Sequence, residues 1–178
     1  MNIDFKNISR FIQAPEGYVF ELINTHHTPS IITWRNNPEL NQYFLLSQNL
    51  TLESQKQFLK EYESKDRVDF VLLDQSINLP IGVFSIKNLS TEPEIGQLIG
   101  ESTYRGKGLG KAATLSLLAF AFNYLELEAI YARIKKLNTV NINLTKKLNF
   151  QLLKYETHQN ESISVMKLTR FSFDKISG

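Results

Sequence analysis

The sequence contains no cysteine among its 178 residues. Disulfide bonds and thiolate catalysis are therefore excluded, and the chain is compatible with the cytosol. No apolar run reaches the roughly 18 residues that a transmembrane helix needs. Asp4, Lys6 and Arg10 interrupt the first 17 residues, so these do not form the apolar centre of a signal peptide. We expect a cytoplasmic protein with no membrane partner.

Histidine is also scarce, with three in the whole chain. His26 and His27 are adjacent, and neighbouring side chains of an extended segment point in different directions. His158 falls in a polar hairpin far along the sequence. Because these positions do not supply the ligand set of a zinc site or a similar centre, we expect no metal.

The composition is that of an ordinary globular protein, with 42% hydrophobic and 21% charged residues. A chain of this length suits one domain with a sizeable core. We expect residues 1–178 to form that domain, with residues 1–17 as an N-terminal extension. The apolar side chains of the extension would pack on the domain or on a second subunit, which leaves a homodimer open.

Hydrophobic patterning predicts an alternating α/β (α+β) fold. Strands are expected at 18–23, 69–73, 80–87, 95–100, 129–135, 150–157 and 162–168. Helices are expected from Pro29, from Thr51 to about 65, and over 112–125 and 139–148. The unit formed by strand 95–100, the following helix and strand 129–135 favours a central parallel pair with a right-handed crossover. The expected architecture is a single mixed, mostly antiparallel sheet with helices on both faces.

The most distinctive segment is the glycine-rich stretch between Arg105 and Lys111. Three glycines at alternate positions let a ligand lie directly against the backbone. The first turn of the following helix offers free N–H groups and the positive end of the helix dipole. Together with three nearby cations, these features predict a diphosphate-binding site. The residues concerned are Arg105, Gly106, Lys107, Gly108, Leu109, Gly110 and Lys111.

Two common phosphate-binding loops do not fit this spacing. The P-loop requires glycine at position 105 and Ser or Thr after Lys111, but the sequence has Arg105 and Ala112. The dinucleotide fingerprint, counted from Gly106 and Gly108, requires glycine at position 111. A plain glycine-rich turn before a core helix is the remaining structural alternative.

A second basic region lies between positions 129 and 155. It contains six cations and no acid, namely Arg133, Lys135, Lys136, Lys146, Lys147 and Lys154. Most charge runs are solvated faces, but this one and the glycine-rich loop could together attract an anionic ligand. Aromatic residues in the run are too sparse for a nucleic-acid stacking platform, so no nucleic-acid partner is expected.

The loop also matches the pattern Arg/Gln-x-x-Gly-x-Gly/Ala, with Arg105 in first place. With it, the chain resembles the GNAT superfamily of N-acetyltransferases. Segment 94–100 is similar to the family's central strand and segment 138–150 to its second cofactor segment. Segment 34–39 is similar to the first-helix motif of the amino-sugar and the ribosomal-protein or polyamine acetyltransferase branches. The resemblance covers about residues 18 to 170.

The resemblance implies a GNAT-like fold in which acetyl-CoA is the acyl donor. The family's two central parallel strands splay apart, and the pantetheine arm enters the gap like an added strand. Backbone bonds to that arm would come from Leu98, Ile99 and Gly100. Besides residues 105–111, the other implied cofactor contacts are Asn138, Asn141 and, less specifically, Lys147.

Two positions depart from the family pattern. The usual tyrosine general acid is replaced by Thr145, whose hydroxyl is a poor proton donor to a thiolate. The usual glycine before the final Phe is Asn149, which also tolerates a positive φ. Glu94, ahead of the central strand, is the other candidate catalytic residue. Chemistry would then rest mainly on alignment of amine and thioester.

The acceptor motif consists of Trp34, Arg35 and Asn36, which the resemblance marks as candidate substrate-binding residues. Trp34 would stack on substrate or fill the core. Arg35 and Asn36 would meet an anionic acceptor or lock the first helix to its loop. We therefore expect an acetyl-CoA-dependent N-acetyltransferase acting on the primary amine of a small acceptor, with a nucleotide-linked amino sugar ahead of other amines. One alternative is a protein N-terminal, ribosomal-protein or polyamine acetyltransferase. The other is a CoA-binding regulatory module without catalytic activity.

Overall fold

A computed structural model describes residue 5, residues 7–46 and residues 48–177. Its seven strands are β1 (Tyr18–Leu22), β2 (Arg67–Asp74), β3 (Leu79–Lys87), β4 (Glu94–Ile99), β5 (Ala129–Lys135), β6 (Gln151–His158) and β7 (Glu161–Thr169). They form one sheet in the order β1-β2-β3-β4-β5-β7-β6. Only β4 and β5 are parallel, and all other neighbouring pairs are antiparallel. The predicted mixed sheet with a central parallel pair is confirmed.

The described residues also form six α-helices: α1 (Thr28–Asn36), α2 (Pro38–Asn41), α3 (Leu52–Lys60), α4 (Leu109–Ala119), α5 (Thr139–Lys147) and α6 (Arg170–Ser177). Successive residues of a strand point to opposite faces, and β2 shows the two cores that result. Phe70 packs in a cluster with α4 and α5, whereas Val71 packs in a second cluster with α1, α2 and α3. Helices therefore cover both faces of the sheet. Within the described residues, none of them is long and apolar enough to cross a membrane.

The long helix after the glycines differs from its predicted bounds of 112–125. It begins at Leu109, and its last part, Phe120–Tyr124, is a π-helix that closes with the Leu125 N–H donating to the Phe120 carbonyl. This wider turn lets neighbouring aromatic residues enter the core together: Phe120 packs edge-on against Phe70, and Phe122 stacks on Phe173. Phe173 belongs to α6, which was not predicted.

The two ends of the sheet differ in how they are covered. The N-terminal segment buries Ile8 and Ile12 in the larger core, and the Leu22 N–H of β1 donates to Ser9 Oγ at 3.0 Å. The described part of the extension thus packs on the domain, while residues 1–4 and 6 lie outside the described residues. At the other end, the predicted β6–β7 hairpin is confirmed. Its turn consists of Gln159 and Asn160, both with positive φ, as a two-residue hairpin loop requires.

A buried histidine fixes the chain just before α1. The Asn24 N–H donates to His27 Nδ1 at 3.1 Å, and His27 Nε2 lies 3.2 Å from Glu21 Oε2. An acceptor Nδ1 is available only in the neutral ring. Burial lowers the pKa of His27 below its usual value, although the nearby Glu21 carboxylate opposes this effect.

We predict that the free energy of unfolding decreases as the pH falls below about 6.5, the usual histidine pKa. The unfolded chain then binds a proton that the folded His27 resists, so acid favours unfolding. Urea denaturation at several pH values from 7.5 to 5.5 measures the effect. His27→Gln should flatten the dependence, whereas His26→Gln, at the exposed neighbouring position, should change it much less, since the charge of His26 influences the pKa of His27 less than burial or Glu21 does. An equal response of the two variants would contradict the assignment to His27.

Candidate functional site

The parallel strands β4 and β5 meet only at one end. Their single registered pair is Glu94 with Tyr131, and the Tyr131 N–H donates to the Pro93 carbonyl at 2.7 Å. Beyond that pair, no backbone hydrogen bond joins the two strands in the part of the chain that the structure describes. The strands therefore separate towards their carboxyl ends, and the gap exposes one side of the β4 backbone.

Strand alternation decides which backbone groups of β4 face this gap. The Gly100 N–H donates to the Ile81 carbonyl at 2.8 Å, and Leu98 is in register with Val83 of β3. Groups at even positions are thus directed towards β3, whereas those at odd positions face β5. Of the three residues predicted to bond an added strand, only Ile99 faces the gap. Gln97 is the next residue in the same direction, and it was not among the predicted contacts.

The glycine-rich loop lies at the open end of the gap. Gly106 and Gly108 have φ values of +74° and +82°, and a Cβ added at either would meet no atom within 4 Å. Helix α4 begins directly after them, and its first intrahelical bond runs from the Ala112 N–H to the Gly108 carbonyl at 3.1 Å. The N–H groups of the first helical turn, at positions 109–111, therefore remain available to a ligand. The structure combines bare backbone, free donors and a helix dipole, as an anion site requires.

The three cations of the loop have different surroundings. Arg105 Nε donates to the Ile99 carbonyl at 2.9 Å and Nη2 donates to the Gly100 carbonyl, so this side chain braces the end of β4. Lys107 and Lys111 are exposed, and neither forms an ion pair with a described residue. A cavity of about 320 Å³ adjoins the loop and is lined by Tyr18, Tyr104, Lys107, Gly108, Leu109 and Ala112.

A chain of polar side chains connects α4, β4 and α5 beside the gap. Thr114 Oγ1 donates to Gln97 Oε1, and Gln97 Nε2 donates to Asn141 Oδ1. The Asn141 N–H in turn donates to Asn138 Oδ1 at 3.1 Å, which caps α5. Asn138 and Asn141 therefore lie together at the start of α5, and their contact with the cofactor stays a prediction; Gln97 and Thr114 were not among the predicted residues. The one available signal was the polar Gln97 within the otherwise apolar predicted strand 95–100.

Lys147, the third cofactor candidate on α5, is exposed in the last turn of that helix. It forms no ion pair with any side chain that the structure describes. Asn149 follows it with a φ of +66°, the left-handed conformation anticipated for the position where the family has glycine.

Glu94 lies at the closed end of the gap and is buried. Its Oε1 is 3.2 Å from Lys87 Nζ, and its Oε2 is 3.0 Å from Arg133 Nη1. Both oxygens of this candidate base are thus paired with cations. Arg133 also pairs with Glu92. The ion pair of Glu94 with Arg133 connects β4 to β5 next to their last backbone hydrogen bonds.

Thr145, the candidate proton donor, is 1% exposed on α5. Its hydroxyl oxygen lies 3.0 Å from the Asn141 carbonyl, 2.9 Å from the Ile142 carbonyl and 3.2 Å from Met166 Sδ. Such bonds to the preceding turn satisfy a helical threonine locally. The hydroxyl is directed at its own helix and at β7.

The three residues of the acceptor motif lie together on α1, but each side chain already contacts other parts of the protein. Trp34 is 3% exposed in the smaller core, and its Nε1–H donates to Glu101 Oε1 at 2.9 Å. The Arg35 guanidinium lies 4.0 Å from the centre of the Phe44 ring and donates to the Leu46 carbonyl. Asn36 exchanges two hydrogen bonds with the backbone of Leu50, at 2.9 and 2.7 Å.

These contacts correspond to the structural alternative for the motif, in which Arg35 and Asn36 hold α1 to the loop that follows α2. Burial, and then the charge of Arg67, lower the pKa of Arg35.

Within the described residues, no three histidine, aspartate or glutamate side chains are grouped as a metal site would need.

Comparisons with known proteins agree with this geometry. The family model described as an acetyltransferase (GNAT) domain matches residues 19–151. An uncharacterized protein of Methanocaldococcus jannaschii is 29% identical over 141 residues, which cover 78% of this chain and 28% of that protein. An N-acetyltransferase 9-like protein of Caenorhabditis elegans is 32% identical over 130 residues, which cover 70% of this chain and 57% of that protein. This chain therefore spans only part of the length of these two relatives.

Among solved structures, a spermidine N-acetyltransferase from Vibrio cholerae in complex with CoA and spermine superimposes with a TM-score of 0.80. It covers 89% of this chain and 99% of the other at 15% identity, so the likeness concerns the fold. The family model covers most of the sheet, including the gap between β4 and β5 and the glycine-rich loop. The chain belongs to the GNAT acetyltransferase family.

Proposed function

We propose that the protein is an acetyl-CoA-dependent N-acetyltransferase acting on the primary amine of a small acceptor. The observation that supports it most directly is the position of the glycine-rich loop, at the open end of the gap between β4 and β5. An anion site there and an exposed strand edge beside it suit the two chemical parts of CoA, its diphosphate and its amide-containing arm. Both parts of the site come from this chain's own backbone.

In this proposal, the N–H groups at positions 106–111 bind the diphosphate. Lys107 and Lys111 attract the anion, while Arg105 acts indirectly by holding the end of β4. The Ile99 N–H and the backbone of Gln97 pair with the pantetheine amides in the manner of strand addition, while the Ile99 carbonyl is held by Arg105. The Gln97 side chain, fixed between Thr114 and Asn141, keeps α4 and α5 in place on either side of the gap.

The transfer itself forms a bond between the acceptor nitrogen and the acetyl carbon and breaks the carbon–sulfur bond. The amine loses a proton, and the leaving sulfur gains one. Holding amine and thioester in contact supplies a large part of the rate. Glu94 could take the amine proton only if one of its two ion pairs opened. Thr145 would need to rotate away from its helix to reach the sulfur.

We predict that Thr145→Val changes kcat by less than tenfold, equivalent to about 1.4 kcal/mol of barrier. The hydroxyl lies within bonding distance of the carbonyls of its own helix, and valine has nearly the same shape. Steady-state thiol release measures the effect. Thr114→Val is the matched comparison, because Thr114 is equally buried but its hydroxyl also bonds Gln97. That variant should raise KM for acetyl-CoA. A thousandfold loss of kcat in Thr145→Val would instead make its hydroxyl central to the reaction.

For the acceptor, we favour an amine that also carries a negative charge, such as a nucleotide-linked amino sugar. A second cavity of about 370 Å³ lies at the end of β5 beside the β6–β7 turn and is lined by Lys135, Lys136, Leu137, Glu161 and Ser162. Lys135 is paired with Glu161 at 2.6 Å. Lys136 has no acidic partner in the described part of the chain, so it could receive an acceptor phosphate.

The deciding experiment measures thiol release from acetyl-CoA with four acceptors: a nucleotide-linked amino sugar, spermidine, an aminoglycoside and a peptide with a free N-terminus. The highest kcat/KM is expected for the sugar nucleotide. A preference for spermidine or the peptide would replace this acceptor with the polyamine or protein alternative. Tight acetyl-CoA binding by calorimetry without turnover on any amine would support a CoA-binding regulatory module. Absence of acetyl-CoA binding would overturn the proposed function.

A further inference from the structure

Strand β4 is bare on one face at Gly96. Even-numbered residues of β4 direct their side chains to the face that carries α1, α2 and α3, since Leu98 packs against the smaller core there. On this face Trp34 covers Gly100, because a Cβ added at Gly100 would overlap its ring. Gly96 is partly exposed, and the nearest atom to a Cβ added there would be Ser85 Oγ. The backbone at Gly96 is therefore open to a small molecule.

The hydroxyl of Ser85 leans over this bare backbone. Ser85 lies in β3 in register with Gly96 and is 7% exposed. Its Oγ would be 2.5 Å from a Cβ at Gly96, so it occupies the space that a side chain would take. Within the described residues, no hydrogen bond reaches this hydroxyl. Since polar side chains that are nearly buried normally have a partner, the free hydroxyl indicates a ligand.

The charged groups on either side of Ser85 are already paired. Lys87 Cε would be 3.8 Å from a Cβ at Gly96, but its ammonium lies 3.2 Å from Glu94 Oε1. On the other side of the serine, Asp69 is buried and accepts two hydrogen bonds from the Arg67 guanidinium. Of these polar groups, the serine hydroxyl alone has no partner within the described residues.

The proposed function brings the acetyl group to the same place, and the inference rests on it. In that proposal the diphosphate lies at the glycine-rich loop, at the open end of the gap. The pantetheine arm then meets the Ile99 N–H first and the backbone of Gln97 next. The thioester is the end of the arm farthest from the diphosphate, so it lies past Gln97 and level with Gly96.

An attacking primary amine needs a hydrogen-bond acceptor that leaves its lone pair free. The neutral amine has two N–H donors, and its lone pair must point at the acetyl carbon. A serine oxygen that accepts one N–H therefore fixes the orientation of the nitrogen. The nitrogen becomes positively charged as it attacks, which strengthens this hydrogen bond. Because the bond is stronger in the transition state than in the ground state, it accelerates the reaction.

We infer that the Ser85 hydroxyl binds the acceptor amine over Gly96 and directs its lone pair at the thioester. The ligand of this subsite is an unhindered primary amine, since the space is that of the side chain which Gly96 lacks. Ser85 thus orients the acceptor nitrogen, whichever group finally takes its proton.

Thiol release with the best amine of the four-acceptor panel tests the inference. Ser85→Ala should lower kcat/KM for the amine by about tenfold or more, while the dissociation constant of acetyl-CoA stays within about twofold. Ser85→Thr keeps the hydroxyl and suits a strand, so it should retain kcat/KM within about threefold.

Ser164→Ala is the matched control. Ser164 of β7 is 3% exposed, and no hydrogen bond reaches its hydroxyl within the described residues. It is in register with Ile134 of the larger core, so it lies on the opposite face of the sheet from Ser85. Alanine at this position should change neither kcat/KM nor the affinity for acetyl-CoA.

Gly96→Ala tests the geometry independently. Its methyl group would force the Ser85 hydroxyl to turn away and would cover the bare backbone. The value of kcat/KM should fall by about tenfold or more with little change in acetyl-CoA affinity. The free energy of unfolding should fall less when Gly96→Ala is made in a Ser85→Ala background, because the close contact is then absent.

The outcomes distinguish this inference from the proposed function. Unchanged kcat/KM in folded Ser85→Ala would overturn the inference and leave the proposed function in place. Equal losses of kcat/KM and acetyl-CoA affinity would give Ser85 a structural role and would also overturn it, as would acetyl-CoA binding by the unaltered chain without turnover on any amine. Absence of acetyl-CoA binding by the unaltered chain would overturn the proposed function and the inference with it.

Discussion

Gly108→Asp is expected to weaken acetyl-CoA binding at least a hundredfold while the chain remains folded. Gly108 has a φ of +82° and precedes the first residue of α4, and a Cβ there would point into open space. The new carboxylate would occupy the place proposed for the diphosphate and would repel it. A hundredfold loss corresponds to about 2.7 kcal/mol of binding free energy, measurable by titration calorimetry.

Two control variants show whether the charge and volume of the new side chain, or strain in the backbone at a positive φ, cause the loss of affinity. Gly17 has the same φ of +82° and equally open surroundings, but it lies before β1 rather than in the loop. Gly17→Asp should lower stability by a similar amount and keep its affinity for acetyl-CoA. Gly108→Asn adds nearly the same volume without charge and should lose less affinity than Gly108→Asp. Normal affinity in a folded Gly108→Asp variant would remove the loop from the cofactor site.

Gly100→Ala is expected to destabilise the fold by about 3 kcal/mol, the upper range for overpacking a core. A Cβ at this position would overlap the indole ring of Trp34. Trp34 cannot easily move aside, because it is buried and its N–H is bonded to Glu101. Urea denaturation measures the free energy of unfolding.

Gly110→Ala provides the matched control in the same region. A Cβ at Gly110 would lie 3.7 Å from Ile99 Cγ1, an ordinary van der Waals distance, inside helix α4. Alanine should therefore stabilise the chain by about 0.5–1 kcal/mol. Combining Gly100→Ala with Trp34→Ala should cost less than the sum of the two single changes. A loss below 1 kcal/mol in Gly100→Ala would show that the Trp34 ring does not hold this position rigidly.

The contact between Trp34 and Gly100 links the two halves of the proposed site. Trp34 belongs to α1, whose other side chains hold the loop after α2, while Gly100 follows β4 and accepts a bond from Arg105. The first-helix motif therefore sets the position of the strand end on which the glycine-rich loop is built. This role explains why the motif side chains are buried or bonded.

Much of the fold was predictable because its signals are local. The β6–β7 hairpin follows from two turn residues that accept positive φ, and the parallel pair follows from a strand, a helix and a strand in succession. The glycine-rich loop is also recognisable from the sequence, since its glycines stand directly before the start of a helix. The π-helix that follows α4 was not predictable, because it depends on which aromatic residues the core admits.

The sequence alone predicted the succession of the seven strands, a glycine-rich loop suited to an anion and the resemblance to the GNAT family, since each depends on neighbouring residues. Only the tertiary structure decided what the side chains do. Gln97 meets Thr114 and Asn141 across distances of 17 and 44 residues in the chain. Strand register directs the backbone of Ile99, rather than Leu98 or Gly100, into the gap. Such contacts arise from packing between distant segments, and their partners cannot be inferred from local spacing.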